Sequence, residues 1–342
     1  MSSPAASRRG LSSPAAAAPR TISFCYEERA TDAIETRDPL TLSSEITALE
    51  AAAAMSRDRR NAAVVLDGNG ELAGLLTERD FLNKLPLEAD AAVDATVADL
   101  MTSRDDLTLG SAECSVDRVV RRMRAERMSS FPLLDSAGGV QAVINKKNIA
   151  LQIFKALNED RDASGADVSV GAMLDYHEAH PRPGDVRGTK VSLPPYSTLQ
   201  EAVELMRETG SGSMLIFAPP FATHSHFVLA NAFGLFTERE YVASLARLAG
   251  RAPDEVELFE VARFSKGTSK KTMAAVHDQD GVAEGLDADA IVAVGRDTLV
   301  RDCLSLMLGN DLLYAPVTED KKPVDIVSLR DINLFLAPTE DA

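Results

Sequence analysis

Four short stretches of the chain place hydroxyl, acidic and basic residues at one repeated spacing. Gly74-Leu75-Leu76-Thr77-Glu78-Arg79-Asp80 ends an apolar run in a hydroxyl residue, and an acid follows three positions later. The pattern returns as Gly234-Leu235-Phe236-Thr237-Glu238-Arg239-Glu240 and as Asp325-Ile326-Val327-Ser328-Leu329-Arg330-Asp331. A weaker copy is Ala142-Val143-Ile144-Asn145-Lys146-Lys147-Asn148. Two chemistries suit this spacing. A Ser or Thr with an acid three residues on caps a helix by satisfying its free amides and complementing its dipole. A carboxylate beside a helix start can also accept two hydroxyl hydrogen bonds from a bound molecule. The third position is always basic: Arg79, Lys147, Arg239 and Arg330. A phosphate contact or a solvated surface pair would each use such a residue.

The elements that must hold these residues follow one order. In the first copy, Pro39 to Leu42 is extended, and Ser43 or Ser44 is expected to cap a helix with Ile46, Leu49, Ala52 and Ala53 inward. Ala62–Leu66 and Leu72–Leu76 read as a hairpin around Asp67-Gly68-Asn69-Gly70, where glycine tolerates the positive φ of a tight turn. A helix then closes the unit. The second copy begins at Leu107–Leu109, with Ser115 as cap, Phe131–Asp135 and Val140–Ile144 as the hairpin, and Gly138-Gly139 as its turn. The third has Lys190–Leu193, a helix capped by Ser197 with Gln200, and a widened turn from Ala218 to His226. The fourth has Ala290–Val294, Asp297 as cap, and Tyr314–Val317 with Val324–Leu329. The interval from Glu240 to Asp331 exceeds that from Asp80 to Asn148, which places an insertion at about residues 257–289. The repeats then pair as one with two and three with four.

This order and these residues resemble the CBS domain, the repeat named after cystathionine β-synthase. Ala63-Val64-Val65-Leu66-Asp67, Leu72 to Asp80, Phe131-Pro132-Leu133-Leu134-Asp135 and Ala315-Pro316-Val317 carry the resemblance, which spans about residues 30 to 337. It implies an α+β fold of four β-α-β-β-α CBS repeats, paired into two Bateman modules of back-to-back three-stranded sheets. The expected boundaries are a disordered tail over 1–29, repeats over 30–94, 95–160 and 166–250, and a last repeat over 251–338. The resemblance also implies an adenosine-based ligand: AMP, ADP, ATP or S-adenosylmethionine. Its ribose would meet Thr77 with Asp80, Ser328 with Asp331, and less surely Thr237 with Glu240, where Glu is one methylene longer. Arg79, Arg239 and Arg330 are the phosphate candidates. Asn145 with Asn148 lacks the anion and is expected to serve structure. A stand-alone chain of four repeats is similar in repeat number to the γ subunit of AMP-activated protein kinase. That implies a non-catalytic regulatory role with a protein partner, such as a kinase or another regulated enzyme. The alternative is a scaffold with vestigial clefts.

Composition narrows the rest. A net charge of −16 disfavours nucleic acid and anionic membranes, which need a basic face. At 45% hydrophobic residues and no Trp, the core must be aliphatic. Cys25, Cys114 and Cys303 show no metal or disulfide spacing. His177 with His180 and His224 with His226 fall in expected loops without further ligands, so no metal is predicted. No catalytic motif is visible. Residues 1–26 contain no acid and three arginines, which suits either a plain tail in a cytoplasmic protein or a plastid or mitochondrial transit peptide. A homodimer, with each module paired to a second chain, is the alternative to pairing within one chain.

Overall fold

The computed structural model describes residues 38–126, 128–159, 167–180, 191–217, 233–248, 250–264, 291–320 and 322–336. Within these, the β-α-β-β-α unit occurs four times. The first runs through Thr41–Ser43, Ala48–Arg57, Ala62–Leu66, Leu72–Thr77 and Glu78–Lys84. The second uses Gly110–Ser111, Val116–Ala125, Ser130–Leu134, Val140–Asn145 and Lys146–Glu159. The third uses Ser192–Leu193, Leu199–Thr209, Ser213–Phe217, Phe233–Thr237 and Glu238–Leu245. The fourth uses Val294–Gly295, Val300–Gly309, Tyr314–Glu319, Lys322–Ser328 and Leu329–Leu336. In each, the short first strand lies parallel to the second, and the helix between them is the crossover that a parallel pair requires. The hairpin partner is antiparallel.

The hairpin turns of repeats 1 and 2 share one device. Asp67 Oδ1 accepts from the amides of Asn69 (2.8 Å) and Glu71 (2.9 Å), and Asp135 Oδ1 accepts from those of Ala137 (2.8 Å) and Gly139 (2.9 Å). The aspartate thus substitutes for backbone partners that the turn cannot supply.

Several expected boundaries move. The first helix of repeat 1 is capped by Thr47 with Glu50, not by Ser43 or Ser44, and that of repeat 3 by Thr198 with Glu201, not by Ser197 with Gln200. Repeat 4 starts its helix at Val300, beyond Asp297. The shift has a common cause: a connecting segment pairs with the backbone just ahead of each helix. Ala48 N donates to Ala95 O (2.8 Å) and Val97 N to Ile46 O (2.9 Å). Leu199 N donates to Val256 O (2.7 Å) and Leu258 N to Ser197 O (2.8 Å). Val300 N donates to Val168 O (2.9 Å) and Val170 N to Thr298 O (2.8 Å). The moved start puts Ala48, Ala51, Ala52 and Met55 inward and leaves Ala53 exposed. In repeat 2 the strand is Gly110–Ser111, and Leu107 and Leu109 instead fill the space between sheets.

The expected three-stranded sheets hold for repeats 2 and 4 among the described residues, but repeats 1 and 3 have four strands. Thr102–Ser103 adds beside Gly74 and Leu75, and Arg263–Phe264 beside Gly234 and Leu235. A Cβ at Gly234 would stand 2.8 Å from Phe264 Cε1, and one at Gly74 would collide with Thr102 O. Repeats 2 and 4 carry Ala142 and Asp325 at the matching position. Residues 257–264 therefore belong to the repeat-3 sheet and its helix cap, rather than to an insertion in repeat 4. The remainder of that insertion, the widened turn of repeat 3, His224, His226 and the first 37 residues lie outside the described residues.

Two kinds of core close the four repeats into a ring. Sheets pack one on two, with Val64, Leu72 and Leu75 against Leu107, Leu109, Leu134, Val140 and Val143. They also pack three on four, with Leu215 and Leu235 against Ile326 and Ile291. Helices pack across these pairs. Met55, Phe81 and Leu82 of repeat 1 meet Met206, Phe236 and Tyr241 of repeat 3. Val119, Ile153 and Leu157 of repeat 2 meet Cys303, Met307 and Phe335 of repeat 4. The expected pairing thus describes the sheets, while the helices join the modules. No described helix is long and apolar enough to cross a membrane.

Candidate functional site

The last residue of each returning strand is also the cap of the closing helix, so the strand aims the motif and the helix start fixes it. In repeat 4, Asp331 Oδ2 accepts from Ser328 N (2.9 Å) and Ser328 Oγ (2.6 Å), and Asp331 N donates to Ser328 Oγ (3.2 Å). Asp331 Oδ1 takes no part in that cap. In repeat 1 the same box forms between Thr77 and Asp80. There the second oxygen is occupied as well. Thr102 Oγ1 donates to Asp80 Oδ1 (3.3 Å), and Lys84 Nζ lies 2.8 Å from it.

Repeats 2 and 3 depart further. Asn148 Oδ1 accepts from Asn145 N (2.9 Å), and Asn145 Oδ1 accepts from Asn148 N (3.1 Å), so two amides reproduce the cap without charge. In repeat 3 the longer Glu240 changes the geometry: Thr237 Oγ1 donates to Glu240 Oε2 and accepts from Arg239 N (3.2 Å) rather than from the third amide. Glu240 Oε1 is taken by Arg263 Nε at 2.8 Å.

The second and third positions of the four motifs converge where the repeats meet. Arg79 Nε of repeat 1 pairs with Glu238 Oε1 of repeat 3. Reciprocally, Arg239 Nε of repeat 3 lies 3.3 Å from Glu78 Oε1 of repeat 1. Arg79 Nη1 also donates to Gly210 O (2.9 Å), and Arg239 Nη1 to Asp311 O (3.3 Å). Lys147 pairs with Asp311. A cleft of about 430 Å³, its open mouth included, is lined by Thr77, Glu78, Arg79, Lys146, Glu238, Tyr314, Ser328 and Arg330, with Asn61, Ser129 and Leu313 at equivalent positions of three repeats. Gly212 lies under this cluster. A Cβ there would meet Tyr314 Oη, and would stand 2.8 Å from both Arg79 Nη2 and Glu238 Oε1.

Burial sets the charge states. It raises Glu78 to about 7 even though Arg239 opposes the shift, and it raises Glu238 against the pull of Arg79. Lys146 is pushed down to about 8, again by burial, with Glu238 resisting. The Tyr314 phenol is raised by burial, first, and by Glu238. The sign for Glu78 is fixed by linkage. Its folded-state value lies above its unfolded one, so the native state holds the extra proton between about pH 4.5 and 7 and loses stability as pH rises through that window. Glu78→Gln removes that loss. In urea titrations, the variant should gain on the wild type by on the order of 3 kcal/mol between pH 4.5 and 8. A pH-independent gap would contradict this charge assignment.

Of the sequence candidates, the structure brings Thr77, Arg79, Ser328 and Arg330 to one cleft. Asp80, Asp331, Thr237 and Glu240 do not line it, and Arg239 faces Glu78 and Asp311 instead. The buried acids Glu78 and Glu238 and the half-buried base Lys146 were not singled out in the sequence. Their signal is the register of the second motif position, which looks like a solvated neighbour of the arginine until the repeats are juxtaposed. His177 and His180 lie in the helix Val170–Ala179 and at its C-cap, not in a loop. His177 Nε2 is 3.0 Å from Asp331 O, and His180 stacks on Tyr176. Among the described residues, no group of three or more metal-ligating side chains occurs.

The CBS domain family model matches residues 31–87 and 285–337, which are repeats 1 and 4. These two regions are CBS domains. Repeats 2 and 3 keep the same element order and the same motif register as these two CBS domains. An inosine-5'-monophosphate dehydrogenase from Nitrosopumilus maritimus (strain SCM1) is 29% identical over 118 residues, which are 34% of this chain and 23% of that protein. The mitochondrial CBS domain-containing protein CBSX3 of Arabidopsis thaliana is 28% identical over 99 residues, 28% of this chain and 48% of that protein. The chain thus spans about a quarter and about half the length of these curated relatives. A Methanocaldococcus jannaschii protein, proposed as an archaeal homolog of g-AMPK, is similar in structure. It covers 90% of this chain and 99% of its own, with a TM-score of 0.62 and 11% identity. That likeness concerns the fold.

Proposed function

We propose that this CBS-domain protein is a non-catalytic regulatory protein that senses an adenosine-based ligand and signals to a protein partner. One observation carries the reading: Thr77 with Arg79 and Ser328 with Arg330 reach the same cleft from two repeats, beside the half-buried Lys146. The ribose would take the Ser328/Asp331 cap first, because Asp331 Oδ1 is outside the cap, and Thr77/Asp80 second. A phosphate would meet Arg79 and Arg330. Arg239 and the Thr237/Glu240 cap are weaker candidates, since each already has a protein partner. Signalling needs a ligand with unequal affinity for two arrangements of the repeats. The helical contacts between modules are the surfaces such a ligand would bias. A kinase or another regulated enzyme is the class of partner, and affinity capture with the folded chain would identify it. An organellar address in residues 1–26 accords with the mitochondrial relative.

Isothermal titration with AMP, ADP, ATP and S-adenosylmethionine tests the reading. Heat of binding is expected from at least one. Silence from all four, with protein shown to be folded, would sink it. A scaffold with vestigial clefts is the second reading. It is favoured by the saturated Asp80 carboxylate, the self-satisfied Asn145/Asn148 pair and the Glu240–Arg263 ion pair.

A further inference from the structure

The reciprocal ion pairs at the centre of the ring have no counterpart in repeats 2 and 4. Those repeats place Lys146 and Leu329 where repeats 1 and 3 place Glu78 and Glu238. The cleft therefore gathers three cations, Arg79, Lys146 and Arg330, around carboxylates supplied from within the protein. Glu238 is buried, and its Oε1 contacts Arg79 Nε as an ion pair. The half-buried Lys146 lines the same cleft, and its ammonium is drawn by Glu238 and Asp331. Desolvation in the cleft disfavours that cation, and a hydrogen-bonding anion there would offset the cost.

We propose that Glu238 is a resident counter-anion in this cleft, and that the phosphate of a nucleoside monophosphate displaces it from Arg79 while bonding to Lys146. Resting on the nucleotide reading above, this adds what selects the ligand and what its binding moves. One phosphate completes the cation set, whereas a longer chain would run against Glu78 and Glu238. Displacing Glu238 also opens an ion pair that ties repeat 1 to repeat 3, so occupancy is coupled to the helical contact between the modules. Glu238 acts here as a specificity-determining residue: it competes with the ligand instead of touching it.

The experiment compares AMP with adenosine on the wild type, Glu238→Gln and Lys146→Gln, each shown to be folded by circular dichroism. Glu238→Gln should bind AMP about tenfold tighter, the scale of one charge interaction at short range, and leave adenosine unchanged. Lys146→Gln should weaken AMP by about tenfold and likewise leave adenosine unchanged. A second measurement needs no variant: in the wild type, amide exchange of Glu238–Leu245 should be faster with AMP bound than with adenosine bound. If AMP binds but Glu238→Gln binds it no tighter, or the two ligands give equal exchange, the displacement is wrong and the nucleotide reading stands. If neither AMP nor adenosine binds, both ideas fall. Should Glu238→Gln not fold, the wild-type exchange comparison decides.

Discussion

Asp331→Ala is expected to abolish most of the thermal stabilisation given by a saturating adenine nucleotide, whereas Asp80→Ala is expected to lower the stability of the ligand-free protein and leave a nucleotide response. At a ligand concentration a hundred times its Kd, the stabilisation at stake is about 2.7 kcal/mol. The asymmetry comes from what each carboxylate already does. Asp80 spends one oxygen on the Thr77 cap and the other on Thr102 and Lys84. Removing it costs a cap, about 1 kcal/mol. Lys84 is partly exposed and also donates to Leu100 O and Met101 O, so its lost pair adds little. Asp331 keeps Oδ1 outside its cap, and that oxygen is the one able to accept from a ligand hydroxyl. Differential scanning fluorimetry with and without nucleotide reads both effects. Equal ligand responses in the two variants would remove the ranking of repeat 4 above repeat 1.

Arg79→Met should destabilise the ligand-free protein by about 3 kcal/mol at pH 8, because it leaves Glu238 buried without its cation. That is the low end for a broken buried pair. Arg79 keeps 31% of its side chain exposed, and solvent screens the interaction. Acid should lessen the loss, since burial already favours the protonated Glu238 and an unpaired carboxyl takes up its proton more readily still. The double variant Arg79→Met with Glu238→Leu should recover much of the stability, as apolar replacements of buried pairs often do. Urea denaturation of the two singles and the double measures the coupling. Additive losses would mean that the cross-repeat pair carries no net interaction.

Much of the fold was legible because it rests on local chemistry repeated four times. Asp67 and Asp135 ahead of small turn residues define hairpins through bonds the aspartate makes to its own turn. Gly74 and Gly234 stand where a further strand approaches, while Ala142 and Asp325 stand where the described sheets end. The Ser328/Asp331 and Thr77/Asp80 caps are three-residue affairs, and their spacing alone specifies them. Helix starts were less legible. Thr47 with Glu50 and Thr198 with Glu201 have the capping-box spacing, but Ser43, Ser44 and Ser197 compete with them in the sequence, and backbone pairing with residues 95–98 and 256–259 favours the later start.

The amino-acid order by itself determined the β-α-β-β-α repeat, its four occurrences and the residues at each strand-to-helix corner, since these depend on neighbours a few positions apart. Only the tertiary structure decided which corners share a cleft and what charge that cleft holds. Glu78 and Arg239 are separated by two whole repeats in the chain, as are Arg79 and Glu238, and they meet only when the helices of repeats 1 and 3 pack together. Desolvation in the closed ring raises both glutamates and lowers Lys146. A local motif can specify a cap, but the charge balance of the cleft depends on desolvation and on partners that closure of the ring brings together.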